Sequence, residues 1–229
     1  VQGDDGRYTF VTVDEDFHRV GAAVLRVVRS TSSYLDKVLI LGGEEGTADR
    51  SNIVSDVSVY DPADDSITSV FSLPRPLTEA VATELDDGRI LLSGGYTNLG
   101  LGLEVNDMYV VVDVVSGTAS ESGTMNVPRV GHRAVTLKDG SVLVCGGELA
   151  PSPGDYATAT CETWSVGSGQ ETGAMDDHRA RFAMVRVPGD TEGRVLAFGG
   201  QRRSGADAVE VLDAAEIYER LGSPEGELA

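Results

Sequence analysis

Four short apolar runs end in a pair of glycines and recur at nearly constant spacing. They are Val38–Gly43 (VLILGG), Ile90–Gly95 (ILLSGG), Val142–Gly147 (VLVCGG) and Val195–Gly200 (VLAFGG). Their first glycines, Gly42, Gly94, Gly146 and Gly199, stand 52, 52 and 53 residues apart. A fixed period of this size means one supersecondary unit repeated along the chain. Such a unit buries its apolar surface only by stacking on its neighbours.

Each run is four or five residues, too short for a buried helix, and is bounded by glycine. That pattern reads as a strand buried on both faces. A second strand precedes each run: Ala22 to Val28, Ala80 to Leu85, Ala134 to Leu137 and Phe182 to Val187. Two of the connections, Asp86-Asp87-Gly88 and Lys138-Asp139-Gly140, carry the Asp-Gly chemistry of tight hairpins, where glycine accepts positive φ. After each double glycine comes a longer polar loop and then a third strand: Asp56 to Tyr60, Asp107 to Asp113, Ala159 to Trp164 and Ala208 to Tyr218. Outer strands are expected over Ser66 to Leu73, Thr118 to Met125 and Gln170 to Met175. Each unit is thus four antiparallel strands, and the units run approximately over 17–73, 74–125, 126–175 and 176–219.

The order of strand, turn, apolar strand, Gly-Gly, variable loop and aromatic-bearing strand resembles the kelch repeat. Asn106-Asp107-Met108-Tyr109 and Val59-Tyr60-Asp61-Pro62 look like that family's third-strand pattern. The resemblance covers roughly residues 17–219 and implies an all-β, kelch-like β-propeller with four four-stranded antiparallel blades in this chain. One column departs from the family. Its fourth strand opens near a tryptophan, where this chain has Ile67, Ala119 and Glu171; the only tryptophan, Trp164, sits in the third-strand aromatic column beside Tyr60 and Tyr218. The repeats are divergent and closest in character to secreted bacterial kelch proteins. The fourth unit supplies three strands, and Arg7 to Val13 (RYTFVTV) alternates as a lone outer strand. If that segment pairs with the last unit, the result is a closed four-blade ring without an exposed edge. The other arrangement is that these blades are part of a larger ring, with Leu221 to Ala229 beginning the missing strand.

Charge narrows the function. Acidic residues outnumber basic ones 37 to 18, for a net charge of −19, a surface that repels phosphate backbones and excludes nucleic acid as a partner. Only Lys37 and Lys138 are lysines and the remaining basic residues are arginines, a bias suggestive of a GC-rich bacterial source. No apolar stretch is long enough to span a membrane.

The loops leading from an outer strand into the next inner strand repeat a basic residue: Arg19 (with His18), Arg75, Arg129 (with His132 and Arg133) and Arg179 (with His178 and Arg181). This column is either a ring of positive charge at a channel mouth that binds an anion or acidic partner, or a set of inter-blade ties to carboxylates and carbonyls. His18, His132 and His178 come from different units and lack metal-ligand spacing, so no metal is expected on them. The acidic groups Asp14-Glu15-Asp16, Asp61 with Asp64-Asp65, and Asp176-Asp177 suit solvated turns, with calcium the cation they would accommodate. Cys145 and Cys161 lie in neighbouring strands of one unit. They form either a disulfide, which implies an oxidising compartment, or a pair of buried thiols.

Motifs of serine hydrolases, zinc proteases and P-loop enzymes are absent. Galactose-oxidase-like enzymes are similar in their kelch blades, but their copper ligands have no match here. The expected function is therefore a non-enzymatic interaction or structural module outside the cytoplasm: secreted, periplasmic or at the cell surface. It would meet a protein or surface component through Glu44 to Val54, Tyr96 to Val105, Glu148 to Ala157 and Gln201 to Ala208. The alternatives are a calcium- or carbohydrate-binding adhesin and an oxidase-type enzyme.

Overall fold

A computed structural model describes residues 16–46, 50–100, 102–149, 157–165, 168–203 and 208–219. The described residues form antiparallel strands and turns, with no helix among them. The first sheet comprises β1 (Ala23–Arg26), β2 (Val38–Leu41), β3 (Asp56–Asp61) and β4 (Ser66–Ser72). The second holds β5 (Val81–Glu84), β6 (Ile90–Ser93), β9 (Met108–Asp113) and β10 (Thr118–Thr124), with a small hairpin of β7 (Tyr96–Asn98) and β8 (Leu103–Val105) between β6 and β9. The third is β11 (Arg133–Thr136), β12 (Val142–Cys145), β13 (Cys161–Ser165) and β14 (Ser168–Glu171). The fourth has β15 (Ala183–Arg186), β16 (Val195–Phe198) and β19 (Ala215–Tyr218), and carries the hairpin β17 (Gln201–Arg203) and β18 (Val209–Val211).

Two expected strands differ. Ala208 to Tyr218 is not one strand: β18 and β19 are separated at Leu212–Ala214. There Leu212 and Gly199 donate their N–H groups to Gly200 and Ala214, so the chain leaves the loop hairpin and re-enters the sheet. The third outer strand, β14, begins before the expected Gln170 to Met175 span and overlaps it only at Gln170 and Glu171, with Ser168 paired to Ser165. Arg7 to Val13 and Leu221 to Ala229 lie outside the described residues.

Register explains why the Gly-Gly runs are continuously apolar. Successive side chains of a strand point to opposite faces, and the middle sheets are covered on both. In β6, Ile90 and Leu92 pack with Leu39, Leu41, Val57 and Val59 of the first sheet. Leu91 faces the other way, with Val142, Val144 and Trp164 of the third. In β12, Leu143 and Cys145 turn instead toward Val195 and Ala197 of the fourth. Three hydrophobic seams therefore join the sheets in chain order. Among the described residues no such cluster joins the fourth sheet to the first, and no sheet closes into a ring. The outward face of the fourth sheet is built by register from Ala183, Val185, Leu196, Phe198, Ala215 and Ile217, with Phe198 53% exposed.

The double glycines sit at the sheet-to-sheet contact. Both have positive φ in every unit. A Cβ on Gly42, Gly94 or Gly146 would stand 2.2, 2.2 or 2.4 Å from a carbonyl oxygen of the following unit, that of Leu77, Arg129 or Arg179. The same carbonyls accept the N–H of Gly43, Gly95 and Gly147. Gly199, with no described sheet after it, meets no such neighbour: its nearest is a carbonyl of its own unit, Leu212, at 3.5 Å. The close approach between sheets is thus what holds glycine at the period.

Candidate functional site

The arginine column divides in two. Arg19, Arg129 and Arg179 occupy equivalent positions, each donating from Nη1 to the carbonyl of its own unit's first glycine, at 3.0, 2.7 and 2.9 Å. Each also meets a carboxylate: Glu45 for Arg19 at 3.1 Å, Glu162 for Arg129 at 2.9 Å, and Glu216 for Arg179. Arg129 and Arg179 are fully buried. Their guanidiniums tie the inner loop to the sheet. Arg75 is not in this column. It pairs with Glu121 on the outer strand of the second sheet, while Leu77 takes the buried position and Asn106 Nδ2 supplies the missing donor, 3.1 Å from the Gly94 carbonyl.

The three histidines are separate. His18 and His178 hydrogen-bond with the carbonyls of Asp16 and Ala157, and His132 Nε2 meets Ser93 Oγ at 2.8 Å in the core. No group of three His, Cys, Asp or Glu side chains arranged to hold a metal occurs among the described residues. Of the acidic groups, Asp61 pairs with Lys37 at 2.7 Å and Asp65 accepts the Tyr60 hydroxyl at 2.7 Å. The backbone N–H groups of Asp176 and Asp177 donate to Glu216. Asp14 and Glu15 lie outside the described residues. Cys145 and Cys161 oppose each other in register and are disulfide-bonded, with Cα atoms 4.2 Å apart.

His132 makes stability pH-dependent. Complete burial, with Arg129 and Arg133 nearby, holds its imidazole well below the usual value of 6.5. The unfolded chain therefore binds this proton more readily than the folded one. The contribution is fully present above about pH 6.5 and is lost as pH falls through the folded value. Replacing His132 by Phe, the residue the fourth sheet carries at this position as Phe182, is expected to flatten the fall in urea midpoint between pH 7 and pH 5. Equal slopes for the two proteins would contradict it.

The loops that follow the double glycines share one end of the stack. Their first residues, Glu44, Tyr96, Glu148 and Gln201, pair with Val20, Thr78, Val130 and Ala180 of the inner loops. They also pair across the loop with Ile53, Val105, Ala157 and Val211. All four loops are therefore anchored at their bases in the same way. Large apolar side chains stand exposed on three of them: Leu99, Leu149, Val209 and Val211, the last 81% exposed.

Among the loop bases lies a charged cluster that contains Arg181, named with the arginine column, together with Arg50 and Glu79, which the sequence reading did not single out. Arg50 Nη2 is 2.8 Å from Glu79 Oε1, its guanidinium lies 4.2 Å from the centre of the Tyr96 ring, and its N–H donates to buried Glu44. Arg181 reaches Glu79 at 3.5 Å and Glu148 at 3.4 Å. Glu79 and Arg181 occupy the position two residues after the arginine column, where the first and third units have Gly21 and Gly131. All four are left-handed, with φ of 66, 54, 66 and 54° for Gly21, Glu79, Gly131 and Arg181. A side chain in that conformation costs roughly 1 kcal/mol that glycine does not. The Gly/Glu/Gly/Arg column was the signal in the sequence that would have found the cluster.

The site and fold define an all-β chain of four repeated units that present loops from one end. No family model matches the chain, and no curated protein matches it.

Proposed function

We propose that the chain is four blades of a divergent kelch-like propeller that serves as a non-enzymatic protein-interaction module outside the cytoplasm. The observation that carries this reading is the common end of the four loops. Their bases are fixed in the same way to the sheets, while the loops differ in sequence and three of them expose large apolar side chains. Binding residues concentrate on loops of this kind, and apolar anchors beside charged groups suit a protein partner. The Cys145–Cys161 disulfide supports an oxidising compartment.

The test replaces the loop tips (45–49, 99–102, 149–156 and 204–208) by Gly-Ser segments of equal length. Partner affinity is expected to fall by at least about tenfold with the thermal midpoint held within about 4 °C. Undiminished binding by the folded variant would refute the reading.

A further inference from the structure

A cavity of about 290 Å³ opens at the centre of the inner loops, and each of the four units contributes to its wall: Gly21 from the first, Glu79 and Val81 from the second, Gly131 and Arg133 from the third, Arg181 from the fourth. Its charged lining is one carboxylate and two guanidiniums, an excess of one positive charge in a protein whose net charge is −19.

Arg133 is the unusual member. Most arginines among the described residues stand beside a carboxylate, but Arg133, like Arg186, has none within ion-pair distance there. Its hydrogen bond is to the carbonyl of His132, at 2.9 Å. It is half-buried, and its neighbour of charge is another cation, Arg181, so burial and that repulsion both lower its pKa. A half-buried guanidinium fork next to a like charge is completed by an anion with two planar oxygens. The wall also carries strain that glycine would remove. The first and third units have glycine at the left-handed position facing the cavity, while the second and fourth place Glu79 and Arg181 there. Residues held in that conformation gather where a side chain is needed at a particular point.

We propose that this cavity binds a small carboxylate, held by the Arg133 guanidinium with Arg181 as the second donor, and with Glu79 keeping Arg181 turned across the cavity. A volume near 290 Å³ matches a free metabolite-sized acid. The proposal does not depend on the loops binding a protein.

Calorimetric titration with propionate and benzoate, and with their amides propionamide and benzamide, tests it on the whole chain and on two variants. At least one acid is expected to bind saturably at one site per chain, and its amide at least about tenfold more weakly. Arg133→Gln is expected to weaken the acid by a similar factor. Arg181→Gly gives the fourth unit the residue found in the first and third. It is expected to keep or raise the denaturation midpoint while weakening binding, which separates loss of the site from loss of the fold. A hexaglutamate peptide is the arm for an acidic side chain of a docked protein. The proposal is overturned if neither acid saturates, if amide and acid bind alike, if Arg133→Gln binds as well as the parent, or if hexaglutamate binds where the small acids do not.

Discussion

Replacing Arg129 by Met is expected to destabilise the protein by about 3–5 kcal/mol, the usual cost of stranding one member of a buried ion pair. The side chains of Arg129 and Glu162 are each 1% exposed and 2.9 Å apart. Arg129 also donates to the carbonyls of Gly146 and Thr160, and Glu162 accepts the N–H of Asn126. Removing the guanidinium leaves a buried carboxylate with the Asn126 N–H still donating to it and takes a donor from the Gly146 and Thr160 carbonyls, the second of which keeps the N–H of Gly146. Burial and the Glu162 charge already push the adjacent Tyr109 phenol up, so that hydroxyl stays neutral and cannot replace the cation. The paired exchange Arg129→Met with Glu162→Leu is expected to recover more than half of the loss, because hydrophobic replacement of both ions removes the uncompensated charge. Urea denaturation of the three proteins measures both effects. A single-variant loss below about 1 kcal/mol, typical of an exposed pair, would contradict the assignment.

Removing the disulfide is the second large effect. Cys145 and Cys161 are 16 residues apart in sequence, and a cross-link closing a loop of that length stabilises by about 3 kcal/mol in the chain-entropy account. The bond joins adjacent strands of the third sheet beside the seam with the fourth, so its loss is expected to weaken that seam. The Cys145→Ala, Cys161→Ala variant, and the parent unfolded under reductant, are both expected to lose about 3 kcal/mol in denaturant titration. Agreement between the two separates the cross-link from the packing of the sulfurs; a loss below about 0.5 kcal/mol would show that the strands hold the loop unaided.

The repeat was legible because two constraints repeat with it. Only glycine permits the close approach at Gly42, Gly94 and Gly146, and only apolar residues suit strands such as β6 and β12, covered on both faces. The fourth strand set was harder to read. The segment after Gly200 contains two apolar stretches, and nothing local separates a loop hairpin from the sheet strand that follows it. Arg75 was misplaced for a similar reason. It precedes a proline in a loop of the right composition, but the buried donor position lies two residues on, at Leu77, and Asn106 fills the role from another strand. Such an exchange between distant residues leaves no mark on local pattern. The pairing within the charged cluster was not legible because Glu79 and Arg181 stand about a hundred positions apart, and its one mark in the sequence is the Gly/Glu/Gly/Arg column.

The central claim is that function resides in the loops at one end and not in the hairpin turns at the other. It is tested most directly by one binding measurement on matched variants. One variant carries Gly-Ser replacements of the loop tips at 45–49, 99–102, 149–156 and 204–208. The other alters the opposite turns at 62–65, 86–88, 114–117 and 138–140, preserving the turn glycines. Affinity for a protein partner is expected to be lost in the first and kept in the second, with both folded. Loss on altering the opposite turns, with retention on altering the loop tips, would contradict the account.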